Sequence, residues 1–210
     1  MTHTLHRKGT EENLKNDFVV FTIAAQSVNA KGTAPLYAEF AEIVLKYNPV
    51  NYGDMKTGNI FNTTKDVLLS STKDNSIFHA VFTDEDTVAK VLCELKERDL
   101  GLSVVVSGLT EHTSACCQEA GLKLNSVNKS LGIWGDVDRL PADDVVQIST
   151  MCGHAMVAFS LVEHLADEVS KGMDAMKASE EMAKLCHCGV FNTVRGANIL
   201  EKMAAEINKK

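Results

Sequence analysis

Residues 17–25, DFVVFTIAA, are a short β-branched and aromatic run, the pattern of a buried strand. The runs IFHAVFT (77–83) and LSVVVSG (102–108) predict two more. Between the strands, apolar residues return at helical spacing. In 34–48 they are Leu36, Phe40, Ile43, Val44 and Tyr47, behind Thr33 as N-cap and Pro35 in the first turn. In 84–101 they are Val88, Val91, Leu92 and Leu95. There Thr83 or Asp84 caps the start, acids fill the first turn and Gly101 ends the helix. Segment 110–121 predicts a short helix ended by Gly121, and 122–135 a fourth strand with Trp134 near its end. Residues 49–76 carry glycines, Asn and Thr around one apolar patch at Val67–Leu69. They predict a long connection with a short element, the kind of loop that often carries function.

After residue 136 the pattern turns helical. Ala158, Leu161, Val162, Leu165 and Val169 line one face of 153–172, and 174–186 is a second helix. Asn192 caps a third, 193–207, whose stripe is Ala197, Leu200, Met203, Ala204 and Ile207. The predicted fold class is α/β (or α+β): a sheet of about four strands with alternating helices, followed by a three-helix C-terminal part. The predicted organisation is a polar N-terminal segment, 1–16, and a single compact domain, 17–210. That domain divides into an α/β layer, 17–135, and a helical part, 136–210.

Composition narrows the function. The chain has 210 residues, 45% hydrophobic and 23% charged, with a formal charge of −7. An acidic chain does not attract phosphate backbones as a whole, so nucleic acid is not the expected partner. The basic clusters His6–Arg7–Lys8 and Lys209–Lys210 sit near the ends and read as solvated tails. No apolar run reaches about 18 residues, so no membrane span is expected. The polar start lacks a signal peptide's apolar core. Both point to the cytoplasm, where six cysteines are expected as thiols and not as disulfides.

The chemistry concentrates in those cysteines. Cys93 lies near a helix stripe and reads as packing. Cys116 and Cys117 follow the third strand, Cys152 sits in TMCGH before a predicted helix, and Cys186 and Cys188 flank His187 in a turn. The carboxyl ends of strands build sites in α/β sheets, and the C-terminal turns could fold back over that edge. Positions before helix N-termini favour thiolates. Gly153 and Gly189 follow two of the cysteines, allow close backbone approach, and offer N–H groups to sulfur or a cofactor.

The leading expectation is a cytoplasmic metalloprotein with an iron–sulfur cluster of the [4Fe–4S] type. Its ligands would be Cys152, Cys186, Cys188 and one of Cys116 or Cys117, for electron transfer or small anionic substrate chemistry. A three-cysteine version would leave one iron open for substrate. Zinc is the alternative metal, in a tetrahedron of Cys152, His154, Cys186 and Cys188, which would make the protein a zinc-stabilised assembly module. Reduced packing cysteines, or one reactive thiol in a metal-free binding protein, complete the range.

His154 is expected as ligand or proton donor, lining a small-anion pocket with Arg195, or else as a polar first-turn residue, and His187 as exposed or supporting. His164 reads as a helix-surface residue, and His112 could approach Cys116. Arg195 lies in the first turn of a helix, where the dipole disfavours a cation. That predicts an anionic partner: a substrate carboxylate or an acidic side chain. A redox partner protein and a homo-oligomer fit this picture. NYGDMKTGN (51–59) reads as a loop able to hold a ligand, without the Gly-Lys-Ser/Thr of a phosphate-binding loop.

Overall fold

Strand β1 (Phe18–Ile23) is apolar throughout because both of its faces are covered. Val19 and Phe21 point into one core, and Phe18 and Val20 into another. The structure, a computed structural model, describes residues 6–209. Lys210 of the basic end pair and residues 1–5 of the N-terminal segment lie outside the described residues.

Four further strands flank β1: β2 (Asn51–Asp54), β3 (Gly58–Asn59), β4 (Phe78–Phe82) and β5 (Ser103–Ser107). Their order is β3-β2-β4-β1-β5. Every pairing is antiparallel, with Val20 opposite Ala80 on one side and Val106 on the other, and Gly53 opposite His79. The fold is mixed α and β, as predicted. The membership of the sheet differs. Segment 122–135 extends without regular structure, and its Trp134 is 80% exposed. The two additional strands come instead from 49–76, where NYGD is too short and polar to carry a strand pattern.

Helices cover both faces. α2 (Ala34–Leu45), α3 (Lys65–Ser70), α4 (Glu85–Arg98) and α5 (Thr110–Glu119) bury Phe40, Val44, Leu68, Val88 and Leu92 against Phe18, Phe78 and Phe82. α6 (Asp143–Ser149), α7 (Phe159–Ser170), α8 (Ala175–Leu185) and α9 (Thr193–Ile207) form the other layer around Val19, Phe21 and Val81. The C-terminal part therefore has four helices where three were expected. α6 is too short to show a clear period. α7 begins at Phe159 and not at 153, because residues 153–158 are turns with Ala155 at φ 55°. Asp84 caps α4 and Asn192 caps α9, each accepting from a first-turn N–H. Thr33 does not cap α2; its hydroxyl donates to the carbonyl oxygen of Ala30.

The N-terminal segment belongs to this structure. It carries the four-residue helix α1 (Glu11–Leu14). Arg7, expected in a solvated tail, has a side chain only 7% exposed that pairs with Asp17. Among the described residues no helix is long and apolar enough to cross a membrane.

Candidate functional site

Three of the five candidate cysteines meet in the core beneath α6–α9. Cys186 ends α8 and Cys188 lies two residues on, in the turn toward α9, while Cys152 lies just past α6. All three are buried. Cys186 shares hydrogen bonds with both Cys152 and Cys188. His154 completes the group, its Nδ1 3.9 Å from Cys188 Sγ. Its ring belongs to the exposed loop 153–156.

The turn is held by the segment that looked least structured. Asn59 donates to the carbonyl oxygens of Ala183 at 2.9 Å and Cys186 at 2.8 Å. Asn62 donates to Lys184, and Asn51 to Phe191, each at 2.9 Å. Gly189 has φ 74°, and a Cβ there would stand 2.6 Å from the backbone nitrogen of Gly53. Only glycine lets the cysteine turn lie directly on β2. The loop 51–59 thus grips the thiol-bearing turn. These asparagines were missed because a lone Asn in a loop reads as turn chemistry.

The electrostatics do not come from helix N-termini. Cys152 and Cys186 follow the C-terminal ends of α6 and α8, where the dipole disfavours a thiolate. The Cys152 thiol is nevertheless pulled down to about 6. Donation from Cys186 is the largest cause, opposed by burial and assisted by the N–H groups of Met156 and His154. Cys186 is raised well above its ordinary value, first by its bonds to Cys152 and Cys188 and then by burial. One proton held between two sulfurs explains both directions. Gly153 was expected to aim its N–H at sulfur; its neighbours His154 and Met156 do so. The N–H of Gly189 donates to the carbonyl oxygen of Cys186, at 2.9 Å, and not to a sulfur.

Cys116 and Cys117 are elsewhere. Both pack in the core on the opposite face of the sheet, among α2, α4 and α5. Cys116 Sγ lies 3.6 Å from the carbonyl oxygen of Glu85. The expected convergence assumed strands ending at one edge, and an antiparallel sheet sends successive strands to opposite edges. The four-cysteine ligand set is therefore not assembled. His112 pairs with Glu85, and His164 and His187 are exposed.

Arg195 does not line a pocket with His154. It is buried, and its Nη1 donates to Asp17 Oδ2 at 2.9 Å. Arg7 Nη1 reaches both oxygens of the same carboxylate, at 2.7 and 2.6 Å, and Asn192 donates to it at 3.0 Å. The anionic partner expected for Arg195 is thus an acidic side chain of its own chain. Among the described residues no group of three or more His, Cys, Asp or Glu side chains is disposed, as it stands, to hold a metal ion. The chain was compared with protein-family models, curated proteins and solved structures, and it matches none.

Proposed function

We propose that the protein binds a single metal ion of the zinc class through Cys152, Cys186 and Cys188, with His154 as fourth donor. The ion would tie the loop after α6 to the turn between α8 and α9. The observation that carries this reading is the meeting of three buried thiols, from two loops far apart in sequence, beside one histidine.

The donor set supports one ion over a cluster. Zinc–sulfur bonds of about 2.3 Å in a tetrahedron set sulfurs about 3.8 Å apart, and a zinc–nitrogen bond sets sulfur and nitrogen about 3.6 Å apart. His154 Nδ1, 3.9 Å from Cys188 Sγ, is near the second of these, and the thiol hydrogen bonds of Cys186 set its sulfur beside those of Cys152 and Cys188. A cubane cluster puts each cysteine on a separate iron, which spreads the sulfurs further. The iron–sulfur reading also lacks its fourth thiol, since Cys116 and Cys117 lie across the sheet. Binding requires side-chain rotations that replace the thiol hydrogen bonds with metal bonds, and it releases protons. Four protein donors make a closed site, whose role is to stabilise a fold or an assembly surface and not to activate water.

The test is the metal content of protein purified without oxygen, followed by cobalt(II) substitution. About one zinc per chain, and an intense thiolate-to-cobalt band lost in Cys186→Ala, support the reading. A brown protein containing iron and sulfide restores the cluster. A metal-free protein whose Cys152 and Cys186 close to a disulfide on treatment with a small disulfide makes the site a redox dithiol.

A further inference from the structure

The two edges of the sheet differ. β3, at one edge, is two residues long, and Asn59 ties it to the α8–α9 turn. β5, at the other edge, is Ser-Val-Val-Val-Ser, with no charge and no proline. Soluble proteins blunt an edge with charges, prolines or very short strands, because its outer main-chain groups are a template for a further strand. Segment 122–128 runs beside β5, yet a cavity of about 660 Å³ separates the two. Among the described residues no backbone hydrogen bond joins Ser103–Val106 to that segment.

The chain beside this edge is apolar and exposed. Leu124, Val127, Leu131, Ile133 and Trp134 all face solvent, and Val104 on β5 itself is 39% exposed. Burying a large aromatic side chain removes about 150–250 Å² from water, and a stable dimer buries about 800 Å² on each partner. Trp134, the four aliphatic side chains and the edge of β5 supply an area of that order. Charge does not oppose a second copy at this place. Lys96, Asp99 and Lys123 are the charged residues lining the cavity, a balance of one positive charge, although the chain carries −7.

We propose that β5 is the seam of a homodimer, pairing antiparallel with β5 of a second copy about a two-fold axis at Val105. The strand reads the same in both directions, so the pairing is self-complementary, as an isologous interface requires. Val105 lies opposite the partner's Val105, Val104 opposite the partner's Val106, and Ser103 opposite the partner's Ser107. Cross-strand valine pairs are favourable, and no like charges face each other. Such an axis stands perpendicular to the sheet, so both copies keep α4 and α5 on the same side. Segment 122–135, which leaves from the end of α5, then meets its counterpart over the seam. The seam lies at the opposite edge of the sheet from the thiol-bearing turn and does not rest on the metal reading.

Sedimentation velocity on the full chain tests it, and a dimer at micromolar concentration is expected. Val104→Lys puts a charge on the seam and should raise the dissociation constant at least about tenfold. Val105→Cys is a small change that reports the register. Its two-fold mates stand about 4.5–5.5 Å apart between Cα atoms, within reach of a disulfide, whereas those of Ser103→Cys are more than about 13 Å apart. With oxidised glutathione as the oxidant, Val105→Cys should give a covalent dimer, and Ser103→Cys and wild type should not. A wild type that stays monomeric at about 100 μM overturns the proposal. So does a dimer that a folded Val104→Lys leaves intact or that Val105→Cys fails to cross-link, since the second copy would then be seated elsewhere.

Discussion

The side-chain amide of Asn59 donates to the carbonyl oxygen of Cys186 at 2.8 Å, and both residues are fully buried. One asparagine on β3 thereby fixes the end of α8 where the central thiol sits. It also holds the carbonyl oxygen of Ala183, so one side chain bridges two helix-end acceptors. Asn59→Asp keeps the shape and removes both donated hydrogens. Each carbonyl keeps one backbone donor, the N–H of Cys186 on Ala183 and the N–H of Gly189 on Cys186. The variant therefore loses two hydrogen bonds of about 1 kcal/mol each and turns a buried carboxylate oxygen toward them, so a loss of about 2–5 kcal/mol is expected in urea unfolding. An unchanged midpoint would mean that water replaces the amide and that β3 does not position the turn.

Gly189 offers a sharper test of how the turn meets the sheet. Gly101 has φ 67° and nothing within 4 Å of an added Cβ, whereas Gly189 at φ 74° meets the backbone of Tyr52 and Gly53. Alanine at either position carries the left-handed strain, and only at 189 does it also push the turn off β2. Gly189→Ala should therefore be less stable than Gly101→Ala by about 2 kcal/mol or more and should bind less metal. Equal losses at the two positions would show that backbone conformation alone sets the cost.

The turn was legible in part. Cys186, His187, Cys188 and Gly189 stood out because cysteines flanking a histidine in a loop fit no packing pattern. The zinc alternative named the four residues that the fold brings together. What holds them was hidden, because Asn51, Asn59 and Asn62 act through long-range bonds to backbone, and nothing local marks such a bond. The helices were readable wherever an apolar stripe ran three turns, as in α4 and α9. β2 and β3 were not, since strands of four and two residues are made by their partners. The grouping of Cys116 with Cys152 failed for a related reason: strand direction in a sheet is a tertiary property.

Arg195 and Asp17 form a pair that is almost wholly buried, 3% and 0% exposed at the side chains. Burial pulls the arginine's pKa down, and the Asp17 carboxylate opposes that shift. Removing Asp17 strands the buried guanidinium of Arg195 and takes the carboxylate from Arg7, at a cost of about 3–5 kcal/mol, whereas removing Arg195 leaves Asp17 held by Arg7 and Asn192. Asp17→Asn should therefore destabilise strongly, and Arg195→Met less so. Screening is weak inside the core, so added salt should rescue neither variant. Altered metal or ligand binding in Arg195→Met, with Asp17→Asn no less stable than it, would return Arg195 to a pocket-lining role.

Cys116 serves as the contrast to the thiol centre. Burial, with Glu85 and Cys117 adding to it, pushes its thiol from an ordinary 9.0 up to about 12. A thiol held neutral by the fold is inert, so alkylation at pH 8 should leave Cys116 unlabelled until the protein unfolds. The linkage has a definite sign. The unfolded chain gives up this proton near pH 9 and the folded chain near 12, so the contribution is whole below about 9 and is lost progressively as pH rises toward 12. Cys116→Ala should lower stability at pH 7, through the lost packing, yet flatten the alkaline decline relative to wild type. Its metal content should match wild type, while Cys186→Ala should lose the metal. Parallel alkaline curves for wild type and Cys116→Ala would show that this thiol ionises alike in both states. Loss of metal in Cys116→Ala would reopen the four-cysteine cluster.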